Sequence, residues 1–213
     1  MARRTPTIAA ALAVSAALLL TACGGSSDDA SKDKIKGADE GTKSPSASAS
    51  SSAAPGTARP QIKLPTSFQM DFENWTSSDH EKQAVMNDGK ERLRAAHAAI
   101  VDNDPASDSL AFYSSGSALS TGQSYVKGYT SKNLTLIGKA TITNPVVTFL
   151  SKKRATLFYC MDESKGYTKD RKTGETQGTP KNINPHELYM TGVAKNGAGV
   201  WRTLTVETKR GGC

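Results

Sequence analysis

The sequence predicts an α+β domain in which helices come first and an antiparallel sheet follows. Three observations carry this. A capping box, Ser78-x-x-Glu81, opens a run whose apolar residues recur every three or four positions. From Leu134 onward the apolar period changes to two. Two pairs of β-forming runs then flank short polar turns, at Ser151-Lys152-Lys153-Arg154 and Asn196-Gly197-Ala198-Gly199.

In chain order the first element is a leader. Arg3 and Arg4 precede an apolar run of 13 residues, Ile8 to Leu20, and small residues stand just before Cys23. A spanning helix needs about 20 apolar residues, so this run reads as a signal peptide rather than a permanent anchor. Leu20-Thr21-Ala22-Cys23 resembles the bacterial lipobox. The resemblance implies diacylglycerol transfer to the Cys23 thiol, cleavage before it, and acylation of the new amino terminus by a palmitate-type chain. Anchoring by more than one chain is stable, at about 0.8 kcal/mol per buried methylene. The alternative is an ordinary secreted protein with an incidental cysteine. Arg3-Arg4 is a weak twin-arginine signal, because Thr5-Pro6-Thr7 lacks the apolar residues expected after such a pair.

Residues 24–60 hold 9 Ser, 7 Ala and 5 Gly among 37 positions, with Ile35 the only strongly apolar side chain. Such a segment buries too little surface to offset its ordering entropy and is expected to be disordered. As a flexible coil it would reach roughly 30–37 Å, a tether that holds a domain clear of the headgroups. The domain plan is a leader at 1–22, a lipidated Cys23 and tether at 23–63, and one α+β domain at 64–213. The expected location is the outer face of the cytoplasmic membrane.

Within the domain, Phe68, Met70, Phe72 and Trp75 form an apolar lead-in. The helix opened at Ser78 carries Val85, Gly89, Leu93, Ala96 and Ile100 on one stripe and stops at Asp102-Asn103-Asp104-Pro105. A second helical pattern runs from about Ser117 to Lys132, with Leu119, Tyr125, Val126 and Tyr129 on one side and three weakening glycines. Leu134, Leu136, Ala140 and Ile142 read as a strand, with Asn144-Pro145 as a bulge or end. Val146–Leu150 and Ala155–Cys160 make one hairpin; His186–Lys195 and Val200–Lys209 make another. Between them, Asp162–Pro185 is polar and reads as a long mobile loop.

This pattern resembles the NTF2-like domains, cone-shaped folds with a bent antiparallel sheet wrapped around N-terminal helices. More specifically it is similar to small actinobacterial lipoproteins that carry such a domain behind a lipobox and a Ser/Ala/Gly linker. The resemblance lies in the helix at Ser78–Val101, the Leu134–Val147 strand and Tyr159-Cys160-Met161-Asp162. The loop Asp170-Arg171-Lys172-Thr173-Gly174, Trp201 and Cys213 complete it. It spans most of residues 66–213, and its motifs are topological rather than chemical, so it speaks to the fold more than to an activity.

With Cys23 taken by lipid, two cysteines remain, Cys160 and Cys213. In an oxidising compartment such a pair reads as a disulfide, with a free thiol or an intermolecular bridge as alternatives.

Residues 61–213 hold 20 Lys and Arg against 15 Asp and Glu, so the +5 of the mature protein sits on the domain. That fits a mildly basic surface, with anionic wall polymer or lipid as a further partner, for instance at Lys152, Lys153 and Arg154. Nucleic acid is not expected, because the basic residues are scattered and no binding motif is present. No catalytic residue, metal set or cofactor is assigned. His80 and His97 lie 17 residues apart in one helix, about 25 Å, too far to share a metal. Cys-x-x-Cys, His-Glu-x-x-His, Gly-x-Ser-x-Gly and phosphate-loop patterns are all missing from the sequence.

NTF2-like enzymes place an Asp or His in the cone as a general base beside Tyr donors. Here Asp162, His97 and His186 can fill that role, with Tyr125, Tyr159 or Tyr189 nearby. Each also has a plain structural explanation: a strand end for Asp162, a half-buried satisfied ring for His97, an exposed strand start for His186. The expected function is a non-catalytic envelope module that binds a protein, a wall polymer or a small apolar ligand. The alternative is a small-molecule isomerase or dehydratase. Ionisable groups converging inside the cone would favour the enzyme; apolar filling would favour the module.

Overall fold

The computed structural model describes residues 58–213. The expected leader, Cys23 and nearly all of the tether lie outside the described residues. The packed chain starts ahead of the expected boundary at residue 64. Ile62 is 9 % exposed, Arg94 donates to its carbonyl at 2.8 Å, and Arg59 pairs with Asp88 at 3.0 Å.

The first strand is β1, Phe68–Phe72, where the expected lead-in lies. Helix α1 follows, His80–Val101. Its cap sits one residue beyond the Ser78 box: the Asp79 carboxylate accepts the amides of Glu81 and Lys82, at 2.9 and 3.1 Å. The Asp79 amide donates to Ser77 Oγ at 3.2 Å, and Gln83 Oε1 accepts the Ser77 amide, two residues before the cap, at 2.7 Å. The expected stripe is buried throughout. Asn103, at φ 59°, turns the chain out of the helix in the left-handed conformation that Asn tolerates.

A short helix not seen in the sequence, α2, spans Asp108–Tyr113, and α3 spans Gly116–Thr130. Gly122 of α3 faces Leu110 of α2, where a Cβ would make ordinary contact at 3.4 Å.

The remaining strands are β2 (Leu134–Ser151), β3 (Arg154–Asp170), β4 (Thr176–Gly178), β5 (His186–Lys195) and β6 (Trp201–Arg210). The sheet order is β1-β2-β3-β5-β6, with β4 on the free length of β3. Both hairpins lie where the turns placed them. Two expectations change. The sheet is mixed, because β1 pairs in parallel with β2, Phe68 opposite Gly138, while all other pairings are antiparallel. A parallel partner needs a long crossover, and the three helices supply it.

Half of the expected mobile loop at 162–185 is strand. β3 continues to Asp170 opposite Leu134, and β4 adds to it. Its side chains are exposed or half-buried there, so the apolar period fades while the backbone ladder continues.

Two irregularities bend β2. Gly138 has φ +87°, with a register shift just after it, and Asn144 has φ 54° at a second shift before Val146. The sheet thereby curves around α1, giving an α+β domain with its helices on one face of a bent sheet. This is the cone-shaped architecture that the sequence resemblance implied. Leu93 and Ile100 of α1, Ile142 of β2, Leu157 and Met161 of β3 and Trp201 of β6 form its centre, each at most 2 % exposed. A buried polar link ties the parts together. Asp88, 2 % exposed, receives the Trp201 amide at 2.8 Å as well as Arg59.

Cys160 and Cys213 are brought together with their Cα atoms 6.0 Å apart and their sulfurs in bonding position, so the last residue is tied to the middle of β3.

Candidate functional site

The curvature of β2 leaves space between α1, α3 and the sheet, and two cavities adjoin there. One, of about 290 Å³, is lined among others by Phe68, Tyr129, Met161 and Glu163. The other, of about 340 Å³, is lined among others by Arg92, Glu187, Tyr189 and Arg210. His97 and Tyr125 line both and form the wall between them.

His97 lies on the apolar stripe of α1, one position after Ala96, and is 5 % exposed. Its Nδ1 is 2.8 Å from the Leu93 carbonyl, an acceptor only, so Nδ1 donates and Nε2 carries the lone pair. Burial lowers the pKa to about 4, helped by the charge of Arg92 and opposed by the bond to Leu93. The ring is neutral at physiological pH. It stacks on Phe68 at 5.6 Å and meets Tyr125 edge-on at 6.3 Å.

Tyr125 and Tyr129 line the first cavity with His97, Tyr125 and Tyr189 the second, and Tyr159 packs behind Tyr189. The Tyr125 and Tyr129 hydroxyls lie 3.4 Å apart, and Tyr159 stacks on Tyr189 at 5.0 Å. Burial raises the pKa of all four, that of Tyr159 to about 12, so each remains a phenol able to donate.

Two carboxylates reach this region from the sheet, and Arg210 holds both. Arg210 donates to Glu163 at 3.1 Å from each terminal nitrogen, to Glu187 at 2.8 Å, and to the Asn184 carbonyl at 3.0 Å. Burial pushes the Glu163 pKa up, against the pull of Arg210. Arg92, one turn before Ala96, is 6 % exposed, and no carboxylate among the described residues lies within ion-pair distance of it.

No protein-family model matches the chain, and no curated protein matches it in sequence. Among solved structures it is similar to a ketosteroid isomerase-like protein from Erwinia carotovora atroseptica, at 10 % identity and a TM-score of 0.44, over 62 % of this chain and 97 % of that one. It is similar to a scytalone dehydratase-like protein from Novosphingobium aromaticivorans at 13 % identity and a TM-score of 0.37, over 59 % and 83 %. The intermembrane-space region of the chloroplast protein ARC6 is similar at 11 % identity and a TM-score of 0.40, over 58 % and 92 %. Likenesses this distant assign no activity to the chain.

Of the residues singled out in the sequence, His97, Tyr125, Tyr159 and Tyr189 come together inside the domain. His97 is more deeply buried than expected. Asp162 and His186 lie elsewhere. They face each other across β3 and β5 at 3.8 Å on the surface, with side chains 34 % and 51 % exposed. Asp162 is not at a strand end as expected but within β3, where its carboxylate accepts the Ser164 amide at 2.8 Å. His80 and His97 share α1, and no metal-binding group of His, Cys, Asp or Glu exists among the described residues. The turn at Lys152-Lys153-Arg154 is exposed, close to the exposed Leu150.

Arg92, Glu163, Glu187 and Arg210 were not identified from the sequence. Arg92 had a signal: it stands three residues after Gly89 and four before Ala96, on the core-facing stripe. The other three come from separate strands and meet only through the sheet register, Glu187 opposite Arg210.

Proposed function

We propose that this chain is a lipoprotein, anchored through Cys23 on the outer face of the cytoplasmic membrane, whose domain binds a small, largely apolar molecule without transforming it. The observation that carries the binding role is the pair of cavities meeting at His97 and Tyr125. Their volumes, about 290 and 340 Å³, approach the range of small-molecule sites, and aromatic walls with a few converging polar groups are typical of such sites.

The state of the ionisable groups argues for binding over catalysis. The two carboxylates that line the cavities, Glu163 and Glu187, are both engaged by Arg210. The His97 ring, with a pKa of about 4, is a weak base for abstracting a proton near neutral pH. One observation favours the isomerase or dehydratase alternative: a neutral imidazole with a lone pair on Nε2 stands beside the Tyr125 ring. Its low basicity weighs against that alternative.

The lipid anchor is supported by Leu20-Thr21-Ala22-Cys23 and the tether-like composition after it. No helix among the described residues is long and apolar enough to cross a membrane.

Two measurements test the proposal. Intact mass of the native protein should begin at Cys23 with added acyl chains, and Cys23→Ser should move the protein from the detergent phase to the aqueous phase. A native chain that still carries the leader, or an unacylated Cys23, would refute the anchor. Titration with 2-naphthol followed by NMR should shift amides around His97 and Tyr125. Shifts confined to the outer face of the sheet would refute the pocket.

A further inference from the structure

Arg92 is a buried cation with no carboxylate partner among the described residues. The residue is 6 % exposed, and its Nε–H has no hydrogen-bond acceptor. The ion pairs among the described residues engage Arg59, Arg94 and Arg210, but not Arg92. Asp88, one turn earlier on α1, is already taken by Arg59 and the Trp201 amide. Burial raises the Tyr159 pKa, opposed by the charge of Arg92 and a side-chain hydrogen bond to it, so Tyr159 is a neutral neighbour of Arg92 and supplies no counter-charge. A guanidinium withdrawn from water with no anion beside it is costly, and evolution normally removes or pairs such a group.

The surroundings indicate what completes it. Arg92 lines the cavity of about 340 Å³ together with Tyr125, Tyr189, Leu93 and Val206. Arg92, Arg210 and Glu187 contribute to that lining, and His97 is neutral; Glu187 is drawn to Arg210 rather than to Arg92. Arg210 has both terminal nitrogens committed to Glu163, Glu187 and Asn184. Of the two arginines that line the cavity, Arg92 is the one with a buried, unused Nε–H. Its planar fork matches a carboxylate through two parallel N–H···O bonds. The aromatic and aliphatic lining fits an apolar body attached to that carboxylate.

We propose that Arg92 is the recognition residue for the carboxylate of a small amphiphilic acid, an aryl or short aliphatic chain bearing one anionic group, bound in this cavity. The inference rests on the binding role proposed above and deepens it.

The test uses the full-length processed protein in lipid nanodiscs at pH 7.5. Two probe pairs are titrated by NMR: 3-phenylpropionate against 3-phenylpropionamide, and octanoate against octanamide. The Arg92 Nε–H resonance reports the contact directly. The wild type should bind each acid at least tenfold more tightly than its amide, with the Arg92 resonance shifting only for the acids. Arg92→Gln should erase the preference while keeping amide binding, and Arg92→Lys should keep part of it.

Stability separates recognition from a structural role. Without ligand, Arg92→Gln and Arg92→Met should hold or raise the Tm, because an unpaired buried charge is removed. Equal binding of acid and amide by the wild type would overturn the role of Arg92 and leave the pocket standing. No binding of either member of both pairs would overturn the pocket and this inference together. A lowered Tm in both Arg92→Gln and Arg92→Met would mark Arg92 as structural and overturn the assignment.

Discussion

His97 shows how one buried side chain sets a pH dependence for the whole domain. Its folded pKa of about 4 lies below the 6.5 of an unburied ring, so folding favours the neutral form. Its contribution is complete above the unfolded pKa, declines as pH falls from 6.5 towards 4, and changes no further below that. The loss between pH 8 and pH 5 is on the order of 2 kcal/mol. Glu163, with its pKa raised by burial, works in the opposite direction, so a variant is needed to isolate the ring. Urea titrations should show that loss in the wild type and a flatter pH profile in His97→Gln; parallel profiles would count against it. At this scale the sequence was partly legible. His97 and three of the interior tyrosines stood out by residue type and pattern. Arg92 stood on the same stripe but was overshadowed by the apolar residues around it, although a charge at a core-facing position is the stronger signal.

At the scale of elements, legibility followed length and burial. α1 was readable because 22 residues repeat one buried stripe over six turns. α2, six residues long, is too short to show a period. The hairpins were readable because buried Leu157, Val193 and Trp201 alternate with less buried neighbours. The far half of β3 was not, because its partners are polar segments of β2 and β4 and only the backbone ladder defines it. β1, five residues on a parallel edge, alternates only briefly. The bend in β2 is the element on which the cavities depend, and Gly138 is its least replaceable residue. A Cβ there would press on the Lys165 carbonyl, and its φ of +87° is strained for any other side chain. Gly138→Ala should therefore cost about 1–3 kcal/mol in urea denaturation. An unchanged midpoint would mean that the bend has another origin.

For the whole molecule, the covalent closure lies between Cys160 and Cys213, 53 positions apart. Constraint of the unfolded chain by a loop of that size is worth roughly 4 kcal/mol as an upper figure. Reduction, or the double variant Cys160→Ser with Cys213→Ser, should lower the urea midpoint by equal amounts. A large difference between the two would show that the bridge does more than restrict the unfolded state. The global plan was legible because helices precede strands and turn chemistry marks the hairpins. The interior was not, because its polar groups converge from five elements whose spacing in sequence carries no sign of their meeting.

The role assigned to the domain turns on whether its interior holds a molecule. Native mass spectrometry of the protein taken from its own cells addresses this directly, with Thr121→Trp, at the rim of the larger cavity, as the blocked form. The wild type should carry an extra small-molecule mass that collisional activation releases, and Thr121→Trp should arrive without it. Bare protein in both cases, or the same adduct on both, would contradict the account.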